Sequence, residues 1–251
     1  MGETVSARAV HEALKAVSSD ERARVSRSFF KTGPGQYGEG DHFLGVTVPE
    51  TRAISKRAHA LVDHELEKLL ASRWHEERLL ALLVLVRRYE RGNAQEKKAV
   101  CAFYRRSFAA VNNWDLVDLS AWQILGRELR AHARVGVVPR ELFALADSAV
   151  IWERRIAMVA TFAWTKEGEA APALAIAERL LGDREDLMHK AVGWMLREVG
   201  KRASRAELEG FLEEHAHTMP RTALRYALEH FAPEARMHWL ARKRSALRPA
   251  P

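Results

Sequence analysis

Trp152-Glu153-Arg154-Arg155-Ile156-Ala157 is the stretch on which the fold turns, because its pattern returns along the chain. A polar entry comes first, a charged residue follows, and an apolar helix continues. The same order runs through Trp74-His75-Glu76-Glu77-Arg78-Leu79-Leu80, Trp114-Asp115-Leu116-Val117-Asp118-Leu119 and Met188-His189-Lys190-Ala191-Val192. Met219-Pro220-Arg221-Thr222-Ala223 is a weaker copy. The charged positions 78, 118, 155, 190 and 221 stand 40, 37, 35 and 31 residues apart. A period of about 30–40 residues holding two helices predicts a HEAT-like α-solenoid, somewhat short in its repeat. Repeats that stack in register bring equivalent positions onto one concave surface. That surface would carry Arg78, Asp118, Arg155, Lys190 and Arg221. Four of these five are cationic, a stripe that fits a phosphate backbone; a merely solvated helix face is the alternative reading.

Outward from these copies, nearly every segment reads as helix. Between Glu76 and Tyr89 the apolar run Leu79 to Val86 is bounded by Arg78 and by Arg87-Arg88, and between Met188 and Val199 the apolar positions recur at helical spacing. Alternating strand-like runs are missing from the sequence. Turn signals at Arg91-Gly92-Asn93, Gly136 to Pro139, Gly182-Asp183 and Met219-Pro220 separate the helices. The expectation is an all-α chain of about a dozen helices, each roughly 10–18 residues long. Residues 1–241 read as a single domain, with a glycine-rich loop inserted at 31–48 and a flexible basic tail over 242–251. The loop contains Gly33, Gly35 and Gly38 at G-x-G-x-x-G spacing. No strand precedes them and Pro34 interrupts them, so a structured connection is expected rather than a dinucleotide cradle. Thr47 or Val48 then caps a helix with Pro49 in its first turn.

The 251 residues are 47% hydrophobic, enough for a sizeable core. The formal net charge is +7, which suits a polyanion such as nucleic acid or an anionic membrane surface. Cys101 is the single cysteine. One thiol excludes an internal disulfide, a cysteine-based zinc site and an iron–sulfur cluster, and its helical surroundings suggest a buried structural role. The amino-terminal residues lack the apolar core of a signal peptide, and no run of about 18 apolar residues is present. A soluble cytoplasmic protein is expected, with no metal and no cofactor.

One constellation invites chemistry. Trp114 and Asp118 are four residues apart and share a helix face. Trp194 stands in the same relation to Lys190. Stacked repeats would bring Asp118, Trp114, Arg155 and Trp194 onto one wall. Each alone has a structural reading: tryptophans anchor cores, and Asp115 or Asp118 could cap a helix. A carboxylate inside a phosphate-binding groove repels the ligand, however, and therefore needs a purpose. Hydrolysis of an N-glycosidic bond would supply one, since its transition state is an oxocarbenium-like sugar that a carboxylate stabilises. A base alkylated on a ring nitrogen is already cationic, leaves as a neutral molecule and needs no general acid.

At these residues the sequence resembles the DNA alkylation repair (AlkD-like) family. The resemblance is carried by Phe29 through Val46 with Pro49-Glu50-Thr51-Arg52, by Asn113-Trp114-Asp115-Leu116-Val117-Asp118, by Ile151-Trp152-Glu153-Arg154-Arg155, and by Lys190-Ala191-Val192-Gly193-Trp194-Met195-Leu196-Arg197-Glu198. It implies a HEAT-like solenoid, acting as a monomer, that wraps double-stranded DNA on its concave face. It implies metal-free, monofunctional hydrolysis of N3- and N7-alkylated purines, leaving an abasic site. By motif, Asp118 matches the family's catalytic carboxylate, Trp114 and Trp194 its indoles at the lesion's sugar, and Arg155 its arginine beside the lesion's backbone. Arg78, Arg155, Lys190 and Arg221 would bind DNA. Two departures stand out: Phe29 or Phe30 takes the place of an aromatic hydroxyl, and the loop from Thr32 to Gly40 is long. Relatives that have lost the acidic residue are no longer glycosylases, and Asp118 is retained here. A non-catalytic binder of DNA structure and a protein-interaction scaffold are the rival readings of the same array.

Overall fold

A computed structural model describes residues 6–246. It is an all-α helical-repeat fold: sixteen α-helices among the described residues and no strand, only one isolated parallel bridge between His42 and Trp74. The helices are cut more finely than the repeat spacing suggested, several spanning fewer than two turns. The chain divides into two compact units between Ser120 and Ala121, inside the span read from sequence as one array.

The first unit contains α1 (Ala7–Lys15), α2 (Asp20–Phe29), α3 (Val48–Arg57), α4 (Asp63–Leu70), α5 (His75–Arg91), α6 (Ala94–Arg106) and the short α7 (Trp114–Asp118). Local chemistry starts several of them. Ser6 and Ser19 accept backbone N–H groups of the first turns of α1 and α2. Thr47 with Glu50 and Asn93 with Glu96 form reciprocal capping boxes at α3 and α6, and Pro49 sits in the first turn of α3 as expected.

Helix α5 is the hub, packed against α1, α3, α4, α6 and α7. Every residue from His75 to Val86 is buried, so α5 is enclosed on all sides. This corrects the expectation that Arg78 lies on an open cationic surface: it is 4% exposed. The buried leucines Leu79, Leu80, Leu82 and Leu85 each contribute on the order of 1.5–3 kcal/mol of burial.

The glycine-rich segment is a structured loop whose anchor is a carboxylate of α5. Glu76 accepts the backbone N–H groups of Leu44 at 3.0 Å, Gly45 at 2.8 Å and Val46 at 3.2 Å. Successive amides cradling an anion form a nest. Gly45 is required there: its φ is +76°, and a Cβ would lie 2.2 Å from the Ser19 carbonyl oxygen.

The second unit begins with a π-helical turn (Trp122–Gly126). It continues through α8 (Arg127–His132), α9 (Arg140–Ala146), α10 (Ile151–Ala160), α11 (Phe162–Thr165), α12 (Ala171–Leu180) and α13 (Asp186–Glu198). A second π turn (Val199–Ala203) leads to α14 (Arg205–His215), α15 (Arg221–Ala227) and α16 (Pro233–Ala246). Its core joins α10, α13 and α15 through Ile156, Val159, Met195, Leu196, Ala223 and Leu224, all fully buried. Helix α16 continues to Ala246, past the boundary at which a frayed tail was expected; residues 247–251 of that tail lie outside the described residues.

Candidate functional site

Trp114 and Asp118 open and close α7, a single turn, so its orientation depends on what grips the turn. Asn113 is extended (φ −150°); its Oδ1 accepts the Trp114 N–H at 2.8 Å, and its Nδ2 donates to Asp41 Oδ2 at 3.0 Å. Asp115 accepts the N–H of Leu116 on one oxygen and His75 Nε2–H, at 2.8 Å, on the other. His75 also donates Nδ1–H to Asp41 at 3.1 Å, and Arg78 pairs with Asp41 while donating to the Ser72 carbonyl at 2.8 Å. Asn113, Asp115, His75, Arg78 and Asp41 are all buried, so α7 is tied to α5 and to the glycine-rich loop by a continuous polar network.

The network's charge state follows from its partners. Burial disfavours the imidazolium, but the charge and hydrogen bond of Asp115, then those of Asp41, outweigh it and push His75 up to about 9. Burial would likewise raise Asp41; the His75 hydrogen bond, the charges of Arg78 and His75 and the Asn113 hydrogen bond hold it below the usual carboxylate range instead. His75 is therefore cationic at neutral pH, and both its N–H groups donate to carboxylates.

Aromatic rings cover the same site. Phe43 stacks on His75 at 4.7 Å, Phe30 lies tilted against it at 4.9 Å, and Phe30 stacks on Trp114 at 5.2 Å and 12°. Phe29 meets Trp114 edge-on at 5.8 Å. The loop also supplies a phenol here, for Tyr37 donates its hydroxyl to the Phe29 carbonyl at 3.3 Å. Trp114 and Asp118 remain half-buried, within reach of solvent. The charge of Asp118 acts on Tyr104: burial, then the Cys101 and Asp118 charges, push that phenol up against the lowering effect of its Ser120 hydrogen bond.

In the second unit Arg155 and Trp194 lie on α10 and α13, which pack together. Arg155 is 4% exposed and donates to the Leu187 carbonyl of α13 at 2.6 Å. Trp194 is half-exposed; its ring lies 6.3 Å from Phe162, which meets Trp122 edge-on at 5.4 Å, with Lys166 4.2 Å above Trp122. Lys190 pairs with Asp186 at 2.8 Å, and the exposed Arg221 donates to the Leu240 carbonyl at 2.9 Å.

The expected stripe of surface cations is thus corrected at two positions. Arg78 and Arg155 are buried rather than presented to solvent, with their guanidinium groups held on Asp41 and on the Leu187 carbonyl. Sequence reasoning also missed Asp41, His75 and Asp115 as a unit, since His75 lies 34 residues from Asp41 and 40 from Asp115. Among the described residues no group of three His, Cys, Asp or Glu is arranged to hold a metal ion. None of the described helices is long and apolar enough to cross a membrane.

The sequence model of a family described as DNA alkylation repair enzyme matches residues 10–231. Among solved structures, the fold is similar to a predicted DNA alkylation repair enzyme from Enterococcus faecalis. The TM-score is 0.64 at 19% identity, over 86% of this chain and 97% of that one. No curated protein matches.

Proposed function

We propose, from the premise that the chain belongs to the DNA alkylation repair enzyme family, that it hydrolyses the N-glycosidic bond of cationic N3- and N7-alkylated purines in duplex DNA. The observation that carries this reading is the α7 turn. It offers a solvent-accessible carboxylate and an indole one turn apart, and it is gripped from below by a buried imidazolium between two carboxylates. A turn held this way keeps Asp118 in place before substrate arrives, so little reorganisation accompanies the reaction. The alkylated base carries its own positive charge and departs neutral. The developing oxocarbenium sugar needs an anion beside it, and Asp118 supplies that anion and orients the attacking water. The indole face of Trp114 attracts the cationic lesion by about 0.5–2 kcal/mol depending on desolvation.

In this reading the helical repeats are HEAT-like and present Lys190 and Arg221 to phosphates. Arg78 and Arg155 are positioning residues: Arg78 fixes Asp41 beneath α7, and Arg155 ties α10 to α13, which carries Trp194. The product is an abasic site.

Release of 7-methylguanine from methylated duplex DNA tests the proposal. Asp118→Asn should slow release by about 100-fold or more, the usual range for losing a positioned acid or base. No release by the wild type, or equal release by the variant, overturns it. Duplex binding that persists without any release would favour the non-catalytic binder.

A further inference from the structure

At the far end of α5 from His75, the first unit holds a second concave site. A cavity of about 450 Å³ opens between the last turns of α5 and the first half of α6. That volume falls within the range of small-molecule sites, about 300–1,000 Å³. Val84, Leu85 and Val100, all buried, form its apolar part. Arg87, Arg88 and Arg91 form the charged part, three guanidinium groups within one turn and a quarter of helix.

The three arginines are not equivalent. Arg88 pairs with Asp63 at 2.9 Å, and Glu96, the other carboxylate at the cavity, accepts the Asn93 N–H at 2.7 Å in its capping box. Arg87 and Arg91 line the cavity without either partner. Cations at a helix C-terminus complement its dipole, and that suffices for an exposed side chain such as Arg91. It does not suffice for Arg87, whose Nε is buried and, among the described residues, meets no acceptor. An unpaired buried N–H is costly, and the rest of this half-buried guanidinium lines the cavity, where an anion from outside the chain can offset its charge.

We propose that this cavity binds a small organic anion, with a phosphate or carboxylate on Arg87 and Arg91 and an aromatic or short aliphatic body against Val84, Leu85 and Val100. A bare anion satisfies only the arginines, and a neutral apolar molecule only the wall. The site shares no residue with the α7 turn, so it does not depend on the base-release chemistry.

Calorimetric titration of the full chain with phenyl phosphate, inorganic phosphate and phenol tests the proposal. Phenyl phosphate should saturate a single site, with the other two about tenfold weaker or more. Arg87→Gln and Arg91→Gln should each weaken phenyl phosphate by about tenfold, as loss of one charge-assisted hydrogen bond implies, while 7-methylguanine release is unchanged. Arg91 is exposed, so its variant keeps the test valid if Arg87→Gln fails to fold. Absence of saturable binding, or unchanged affinity in Arg91→Gln, overturns the proposal. Displacement of phenyl phosphate by undamaged duplex DNA also overturns it, and would assign the cavity to nucleic acid.

Discussion

His75 joins the two carboxylates beneath α7, and its protonation links stability to pH. Its folded value lies near 9, above the ordinary 6.5. Below pH 6.5 the imidazolium persists folded or unfolded, and its full contribution is present. As pH rises toward 9 the folded state alone retains the proton, so the contribution is progressively lost. The unfolding free energy should fall by about 3 kcal/mol across that window, as the shift between the two values implies. Urea unfolding at a series of pH values, wild type against His75→Gln, checks this; parallel curves would show that the imidazolium does not hold the network. Trp114 and Asp118 were legible from sequence because four residues of helix set their relation. Asp41, His75 and Asp115 were not, because their meeting depends on a loop folding back over α5, which no local spacing encodes.

Among the elements, α5 and α13 show what helical periodicity conveys and what it leaves out. The apolar run of α5 announced a helix, but not that neighbours enclose it on every side. Glu76, Glu77 and Arg78 look like a solvent face; they are buried because Glu76 accepts the loop amides, Glu77 pairs with His11 at 2.5 Å and Arg78 pairs with Asp41. The packing role of Gly193 in α13 is not readable from helical period: a Cβ there would lie 2.4 Å from the Ala223 carbonyl oxygen and 2.6 Å from Tyr226 Cβ. The absent side chain lets α15 approach α13. Gly193→Ala should destabilise the protein by about 1–3 kcal/mol through overpacking. Gly182→Ala, with no atom within 4 Å of the added carbon, should change stability by less than about 0.5 kcal/mol. Denaturant midpoints of the two variants decide the matter, and equal midpoints would mean that α13 and α15 do not pack this closely.

For the whole molecule, the net charge of +7 governs how it meets a polyanion. With about five phosphates neutralised, affinity for an undamaged duplex should fall roughly 500-fold between about 50 and 200 mM salt. Lys190→Gln should lower the slope by about one, whereas Arg78→Gln should instead lower stability, because its charge is buried on Asp41. Fluorescence anisotropy across a salt series measures the slope; an affinity indifferent to salt would rule out a phosphate-bound mode. The sequence alone determined the all-α helical-repeat class and the placing of Trp114 and Asp118 four residues apart on one helical turn. Each of these follows from hydrophobic period and helical spacing, which are local properties of the chain. The tertiary structure alone decided which cations face water, which carboxylates embrace His75, and that a cavity lies beside Arg87. Burial and long-range partners are set by how distant segments pack, and packing is a property of the folded chain.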